Sequence, residues 1–383
     1  MSAAVVTAAS STPTWTPASM RDGASIVLPG QTPQGGHILS VLLKRSYLIE
    51  HRRTCVRAPE DQPINPGEVF WDTPMNSSVR MESDFVPYKL QTDVVLIGRA
   101  HAPGGEPTQS CLVSLLVGEH CKQIQVTGDR RVQFTAKDSD PAFTDPEPFT
   151  DMDLRYERAY GGTDVFSDKS TVYPYPRNPL GRGFAVMNTP EALTELALPN
   201  LEDPNDPLTP QRLCIAEYAK WVDQPQPMGF GWFPKVWQPR CLLAGILPGD
   251  RATEQELRAA YAKLVPADQR EAYVKHGLPD MDFRFFNGAS AGLSLPFLQD
   301  GEVVRTENLC PEGRLDFALP QDTPRIGLDI GSGIEVPEVV LQTVQIRMQD
   351  RQVDLVWRGA VAYPGRDWLP QMRKMAVLVG EPR

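Results

Sequence analysis

The sequence predicts a mainly β (α+β) fold: a sandwich-like antiparallel β core with long Pro/Gly-rich loops and a few short helical insertions. Three observations predict it. Proline and glycine, 37 and 29 of 383 residues, make up about 17% of the chain, against roughly 12% in ordinary usage. Proline interrupts helix interiors and central strands, so such a chain must be built from short strands and ordered loops. Apolar, β-branched runs recur between turn residues, which is the strand signature, while segments with helical spacing are few. Hydrophobic residues reach 41%, enough for a substantial core and incompatible with global disorder.

The elements follow in order. Residues 1–36 are rich in Ser, Thr, Ala, Pro and Gly. They read as a flexible N-terminal tail or an extended strap, with Trp15 as its one anchor. Residues 37–383 form the β-rich domain. Leu39 to Ile49 reads as a strand with Arg52 to Arg57 as its partner. Asp93 to Ala102 is a second strand, stopped by Pro103-Gly104-Gly105. Cys111 to Gly118 and Lys122 to Gly128 form a hairpin, and Asp138 to Asp153 is a Pro-rich loop. Thr189-Pro190-Glu191 starts a helix, with a cap and then proline at its first position; Pro199 limits it. Thr253 and Glu256 make a capping box ahead of Leu257, Ala260, Tyr261 and Leu264 on one helix face. Pro266 ends that helix, and Gly277 closes a second short one. Val340 to Gln349 and Gln352 to Gly359 make a last hairpin around Asp350-Arg351.

Composition narrows the function. The chain carries 38 Lys+Arg against 48 Asp+Glu, a net charge of -10, with no dense basic cluster. Such a surface repels nucleic-acid phosphates. The six cysteines form no CxxC pair, the N-terminus has no basic start, and no stretch approaches a membrane span. These features point to a cytoplasmic protein with reduced thiols.

Catalytic and cofactor motifs are missing. The sequence has no P-loop, no nucleotide-binding glycine spacing and no Gly-x-Ser-x-Gly elbow. Its five histidines lack metal-ligand spacing. No catalytic, cofactor or metal residue is therefore assigned, and the chain is expected not to be an enzyme. The closest approach to chemistry is Glu157-Arg158-Ala159-Tyr160-Gly161-Gly162-Thr163-Asp164. Glu157 and Asp164 are paired carboxylates of the kind glycosidases use. The preferred reading is structural: Gly161-Gly162 makes a tight turn, at least one turn glycine among 161, 162, 181 and 183 has positive φ, and Arg158 pairs with both acids.

Three further clusters share that character. They are Asn178 to Phe184, containing Arg182 and Phe184; Pro227 to Arg240, containing Phe230, Trp232, Phe233, Trp237 and Arg240; and Asp280 to Asn287, containing Phe283, Arg284 and Phe286. Aromatic and arginine side chains on loops suit protein recognition. They equally suit loops packed on one another. These residues, with Glu157, Arg158, Tyr160 and Asp164, are candidate protein-binding or scaffold positions.

Together with Thr92 to Gly98, Ala102 to Gly105, Gly128-Asp129-Arg130 and Leu198-Pro199-Asn200, these clusters resemble a known family. It is the accessory proteins encoded with VgrG spike proteins and PAAR-type effectors in type VI secretion loci, catalogued as a domain of unknown function. The likeness covers about residues 85–290. It implies an adaptor or chaperone that binds a cognate effector and helps load it onto the VgrG/PAAR spike, with no cofactor, nucleic acid or membrane among its partners. Trp232 departs from the pattern, which has proline there, and the pentapeptide repeats of some relatives are absent. The alternatives are a glycosidase-like hydrolase using Glu157 and Asp164, or an exported structural component of the spike.

Overall fold

The computed structural model describes residues 15–380 apart from 20–21, 75, 135–139, 166–171, 187–188, 214, 216–217, 245–280, 331–332 and 364–375. It is mostly β, with 43% strand against 8% helix and several antiparallel sheets. The helix from Thr253 and the turn at Gly277 lie outside the described residues.

A seven-stranded sheet forms the centre. Its order is β8 (Ser294–Leu295), β4 (Thr92–Ile97), β13 (Val339–Arg347), β14 (Gln352–Ala362), β3 (His37–Leu48) and β2 (Ala24–Gln31), with the short strand Val56–Arg57 also on β3. The β13–β14 hairpin and the pairing of Val56–Arg57 with β3 match the sequence reading. Only β4 and β13 run parallel within it. Opposite lies a five-stranded sheet: β7 (Leu201–Glu202), β6 (His120–Thr127), β5 (Ser110–Val117), β9 (Val303–Glu307) and β10 (Arg314–Ala318). A four-stranded sheet has the order β1 (Trp15–Pro17), β15 (Ala376–Gly380), β11 (Ile326–Asp329) and β12 (Ile334–Glu335).

Strand alternation explains the main core, because successive side chains leave opposite faces. Val94 and Leu96 of β4, Val344 and Ile346 of β13, and Val353, Leu355 and Trp357 of β14 face one way. They meet Val113, Leu115 and Val117 of β5, Ile124 and Val126 of β6, and Leu315 and Phe317 of β10. This is the expected sandwich. Further along the central sheet, Leu39, Val41 and Leu43 pack with Ile326 and Leu328 of the four-stranded sheet.

The other face of the central sheet is polar yet buried. Its inward residues include Ser40, Lys44, Ser46, Asp93, Gln345, Asp354 and Arg358. Part of segment 58–90 covers it and meets these groups one by one. Ser40 donates to Pro87 O at 2.5 Å, Lys44 pairs with Asp84 at 2.8 Å, and Ser46 N–H donates to Asp61 at 2.7 Å. Asp93, wholly buried, receives Lys89 Nζ at 2.6 Å, Ser294 Oγ at 2.9 Å, Asn287 Nδ2 at 3.0 Å and Gly288 N–H at 2.9 Å. Burial pushes its carboxyl upward; Lys89, Asn287 and Gly288 outweigh that and hold it below the ordinary value.

Two expectations change. The tail is a strap from Trp15 onward wherever it is described. β2 pairs with β3 along eight positions, and β1 pairs with β15. Trp15 supplies the anchor: a Cβ built on Gly327 would meet its ring at 2.9 Å, and Arg325 lies 5.5 Å from the ring centre. The Asp138–Asp153 loop contains short strands at Ala142–Phe143 and Asp151–Asp153. Their partners, Val132–Gln133 and Arg99–His101, supply the backbone groups that proline-rich segments lack internally. The predicted helix start is correct, with Thr189 accepting from Ala192 N–H, but α1 (Pro190–Leu193) is a single turn.

Candidate functional site

A second core, built by loops rather than long strands, holds two of the sequence-predicted residues, Tyr160 and Phe184. Tyr160, Tyr175, Phe184 and Trp221 are its large members, with Leu198, Leu208 and Leu213. Tyr160–Gly161 runs parallel to Arg182–Gly183. Gly161, Gly162 and Gly183 have φ of +146°, +119° and +90°. A side chain on Gly161 would collide with the Asn178 carbonyl oxygen. Asn178, also wholly buried, donates to Tyr156 O at 2.7 Å and Tyr160 O at 3.1 Å. The amide thus satisfies the Tyr160 carbonyl, which no strand partner reaches, and joins the Ala159 N–H on Tyr156 O.

Four of the sequence segments meet on one carboxylate. Asp129 Oδ1 accepts from Arg158 Nη1 at 3.3 Å, Arg182 Nη1 at 3.1 Å and Asn200 Nδ2 at 2.9 Å. Both guanidinium groups also donate to Asn200 Oδ1, at 3.2 and 3.1 Å. Burial alone would raise the Asp129 carboxyl; Asn200, Arg158 and Arg182 together hold it below its usual range.

Beside this knot lies a cleft of about 240 Å³, walled by Trp71, Asp153, Arg155, Glu157, Arg158 and Arg182 among others. The Arg155 guanidinium lies 3.9 Å from the Trp71 ring centre, and that of Arg80 lies 5.1 Å away. Glu157 is engaged through both oxygens: Oε1 accepts Ser78 N–H at 2.6 Å and Oε2 accepts Ser78 Oγ at 2.9 Å. Asp164 accepts Val186 N–H at 2.7 Å. The expected pairing of Arg158 with Glu157 is therefore corrected. The two side chains are neighbours on a 3-10 turn and go to different partners, Glu157 to the segment covering the sheet and Arg158 to Asp129.

The aromatics of the Gly229–Arg240 segment pack inward. Phe230, Trp232, Trp237 and Arg240 are buried, and Phe233 is half-buried. Tyr156, Phe233 and Trp237 meet edge to face with centroids 5.5–5.7 Å apart. Trp232, the residue that departs from the pattern, donates from Nε1 to Gln345 at 3.1 Å, and its ring lies 5.0 Å from Lys89 Nζ. Arg240 pairs with Glu82 at 2.7 Å and donates to the carbonyls of Phe233 and Phe285. Phe230, Trp232 and Trp237 lie inside the fold, and Phe233 packs half-buried against the main core.

The last segment differs. Phe283 and Phe286 are half-buried on a short 3-10 turn, and exposed Arg284 pairs with Asp282. Phe283 stacks edge to face on Tyr88 at 5.9 Å and on Phe286 at 5.4 Å. Leu90, exposed, is fixed nearby by its N–H donating to Asn287 Oδ1 at 3.3 Å. An apolar surface rimmed by a charged pair results.

Trp71 and Arg155 escape sequence reasoning, since nothing near them in sequence marks a cleft. Lys122 has a legible signal: it occupies an inward position of β6 in series with Ile124 and Val126. Cys55, Cys111, Cys121, Cys241 and Cys310 are free thiols. Among the described residues no helix is long and apolar enough to cross a membrane, and no cluster of three or more His, Cys, Asp or Glu is placed to hold a metal.

A family model described as "Uncharacterized protein conserved in bacteria (DUF2169)" matches residues 34–358. No curated protein and no solved structure matches the chain.

Proposed function

We propose an adaptor role, starting from the premise that the chain belongs to the DUF2169 family of bacterial proteins. In this reading it is a cytoplasmic, non-enzymatic chaperone that binds a cognate type VI effector, PAAR-type, and helps load it onto the VgrG spike. The observation that carries the reading is the apolar surface of Tyr88, Leu90, Phe283 and Phe286. Its three aromatics are half-buried and Leu90 is exposed, so apolar area stays open to a partner; apolar surface with a polar rim marks interaction sites, and aromatic anchors dominate binding energy. The sequence likeness to type VI accessory proteins names the partner. The carboxylates Glu157 and Asp164 are held by Ser78 and by the Val186 N–H, which favours a structural role for both.

Binding shifts a marginally stable effector toward its folded state, by about 2.7 kcal/mol at a free concentration 100 times Kd. The test is co-expression with the effector encoded beside this chain, followed by pull-down and a secretion assay in a deletion strain. Capture that is lost in the Phe283→Ser/Phe286→Ser variant, with its melting temperature unchanged, is the expected result. Normal effector level and normal secretion in the deletion strain overturn it. Recovery of this protein in culture supernatant would instead identify an exported spike component. Glycan hydrolysis that disappears in Glu157→Gln would identify a hydrolase.

A further inference from the structure

A lysine sits where β6 requires an apolar residue. Lys122 points inward beside Ile124 and Val126, and it is buried. Its Nζ donates to Ser290 Oγ at 2.6 Å and to Ala291 O at 2.8 Å. The Phe230 ring lies 6.0 Å away. Among the described residues no carboxylate pairs with it, in contrast to the buried lysines Lys44 and Lys89, each of which has its aspartate. A neutral amine has two N–H groups and one lone pair. The two acceptors use both N–H groups, and the third N–H of an ammonium finds no acceptor among the described residues. Burial without a counter-charge pushes the amine down to about 7, opposed only by the more distant charge of Asp203.

Lys122 also borders a cleft of about 470 Å³, which it lines with Ala291. Its remaining wall is rich in groups that hydrogen-bond hydroxyls: Gln123, Gln226, Asn205 and the carboxylates of Asp203 and Asp206, with Met228 and exposed Cys121 at its side. A nucleophilic amine beneath a polar, acid-rimmed opening is suited to a neutral carbonyl compound rather than an anionic one.

We propose that Lys122 is a reactive amine that condenses with small polyhydroxylated aldehydes admitted by this cleft. The nitrogen lone pair adds to the carbonyl carbon. The carbonyl oxygen then leaves as water, taking the two amine protons, and a carbon–nitrogen double bond remains. Asp203 is the acid placed to accompany the protonated form of that imine. The site is independent of the adaptor reading, since it shares no residue with the aromatic surface.

The test uses the full chain with glyceraldehyde and cyanoborohydride, which reduces any imine to a stable secondary amine, followed by peptide mapping. At pH 7 the Lys122 peptide is expected to gain the adduct at least about 10-fold faster than peptides bearing exposed lysines, which are almost fully protonated there. Its labelling rate levels off just above pH 7, while that of exposed lysines keeps rising to pH 10. Pyridoxal phosphate, an anionic aldehyde, labels it more slowly than glyceraldehyde does. Lys122→Met loses this adduct alone; Lys122→Arg serves if the methionine variant does not fold. An unlabelled Lys122 in folded wild-type protein, with exposed lysines labelled, overturns the proposal. So does labelling that appears only after denaturation in urea.

Discussion

The sandwich core and the loop-built core bury comparable kinds of side chain by opposite means. In the sandwich, backbone groups pair along ladders such as the eleven-position register of β14 with β3. Side chains there need only be apolar and fit. In the loop-built core the ladders are two residues long, as at Tyr160–Gly161 with Arg182–Gly183. Single side chains, Asn178 and Asn200 above all, satisfy the backbone instead. A ladder distributes its stability over many bonds. A knot concentrates it in a few atoms, so the two regions should differ in their response to substitution.

The largest effect should come from the polar face that backs the sandwich. Asp93→Ala leaves Lys89 buried without its partner, which costs about 3–5 kcal/mol; denaturant unfolding measures it. The folded Asp93 carboxyl titrates below its unfolded value of about 3.9. Its contribution is therefore complete above that pH and is lost as pH falls through the lower folded value. The acid limb of a pH–stability profile should accordingly flatten in Asp93→Asn. An unchanged limb would show that Asp93 is not charged in the folded protein.

Asn178→Leu keeps the volume, strands the Tyr160 carbonyl and leaves Tyr156 O with the Ala159 N–H alone. A loss of about 1–3 kcal/mol is expected, and a loss under 1 kcal/mol in chemical denaturation would erase the distinction between the regions. Glu157→Gln removes the charge and one of the two acceptors that hold Ser78 and should cost roughly 1 kcal/mol, read as a small drop in Tm. The smallest effect belongs to Leu115→Met in the sandwich, a volume-conserving swap expected to cost below about 1 kcal/mol. If it proves as damaging as Asn178→Leu, the contrast fails.

The same contrast explains what the sequence reveals. The hairpins β5–β6 and β13–β14 are legible because alternation and turn residues are local signals. The fold class follows from them. The strap is half-legible: Trp15 stands out, but the pairing of β2 with β3 depends on a long-range partner. The loop-built core is not legible as a structure. Asp129, Arg158, Arg182 and Asn200 lie in four segments the sequence marks, but no local signal says that they meet, and only the fold brings them to one point. The aromatics of Gly229–Arg240 carry the opposite lesson. Their density reads equally as surface or scaffold, and burial decides for scaffold because Tyr156 and the central sheet already occupy their faces.

The central sheet also dictates when the molecule can exist. Ser46 on β3 donates to Asp354 on β14 across 308 residues of chain. During synthesis at about 5–20 residues per second, β3 therefore waits on the order of 15–60 s for its neighbour. Its apolar face has no permanent cover in that interval, and long-range pairing of this kind forms slowly. A prematurely terminated chain is thus not a smaller working version of the protein. It is a polymer with an open sticky edge, a natural client for the cell's own folding and degradation machinery.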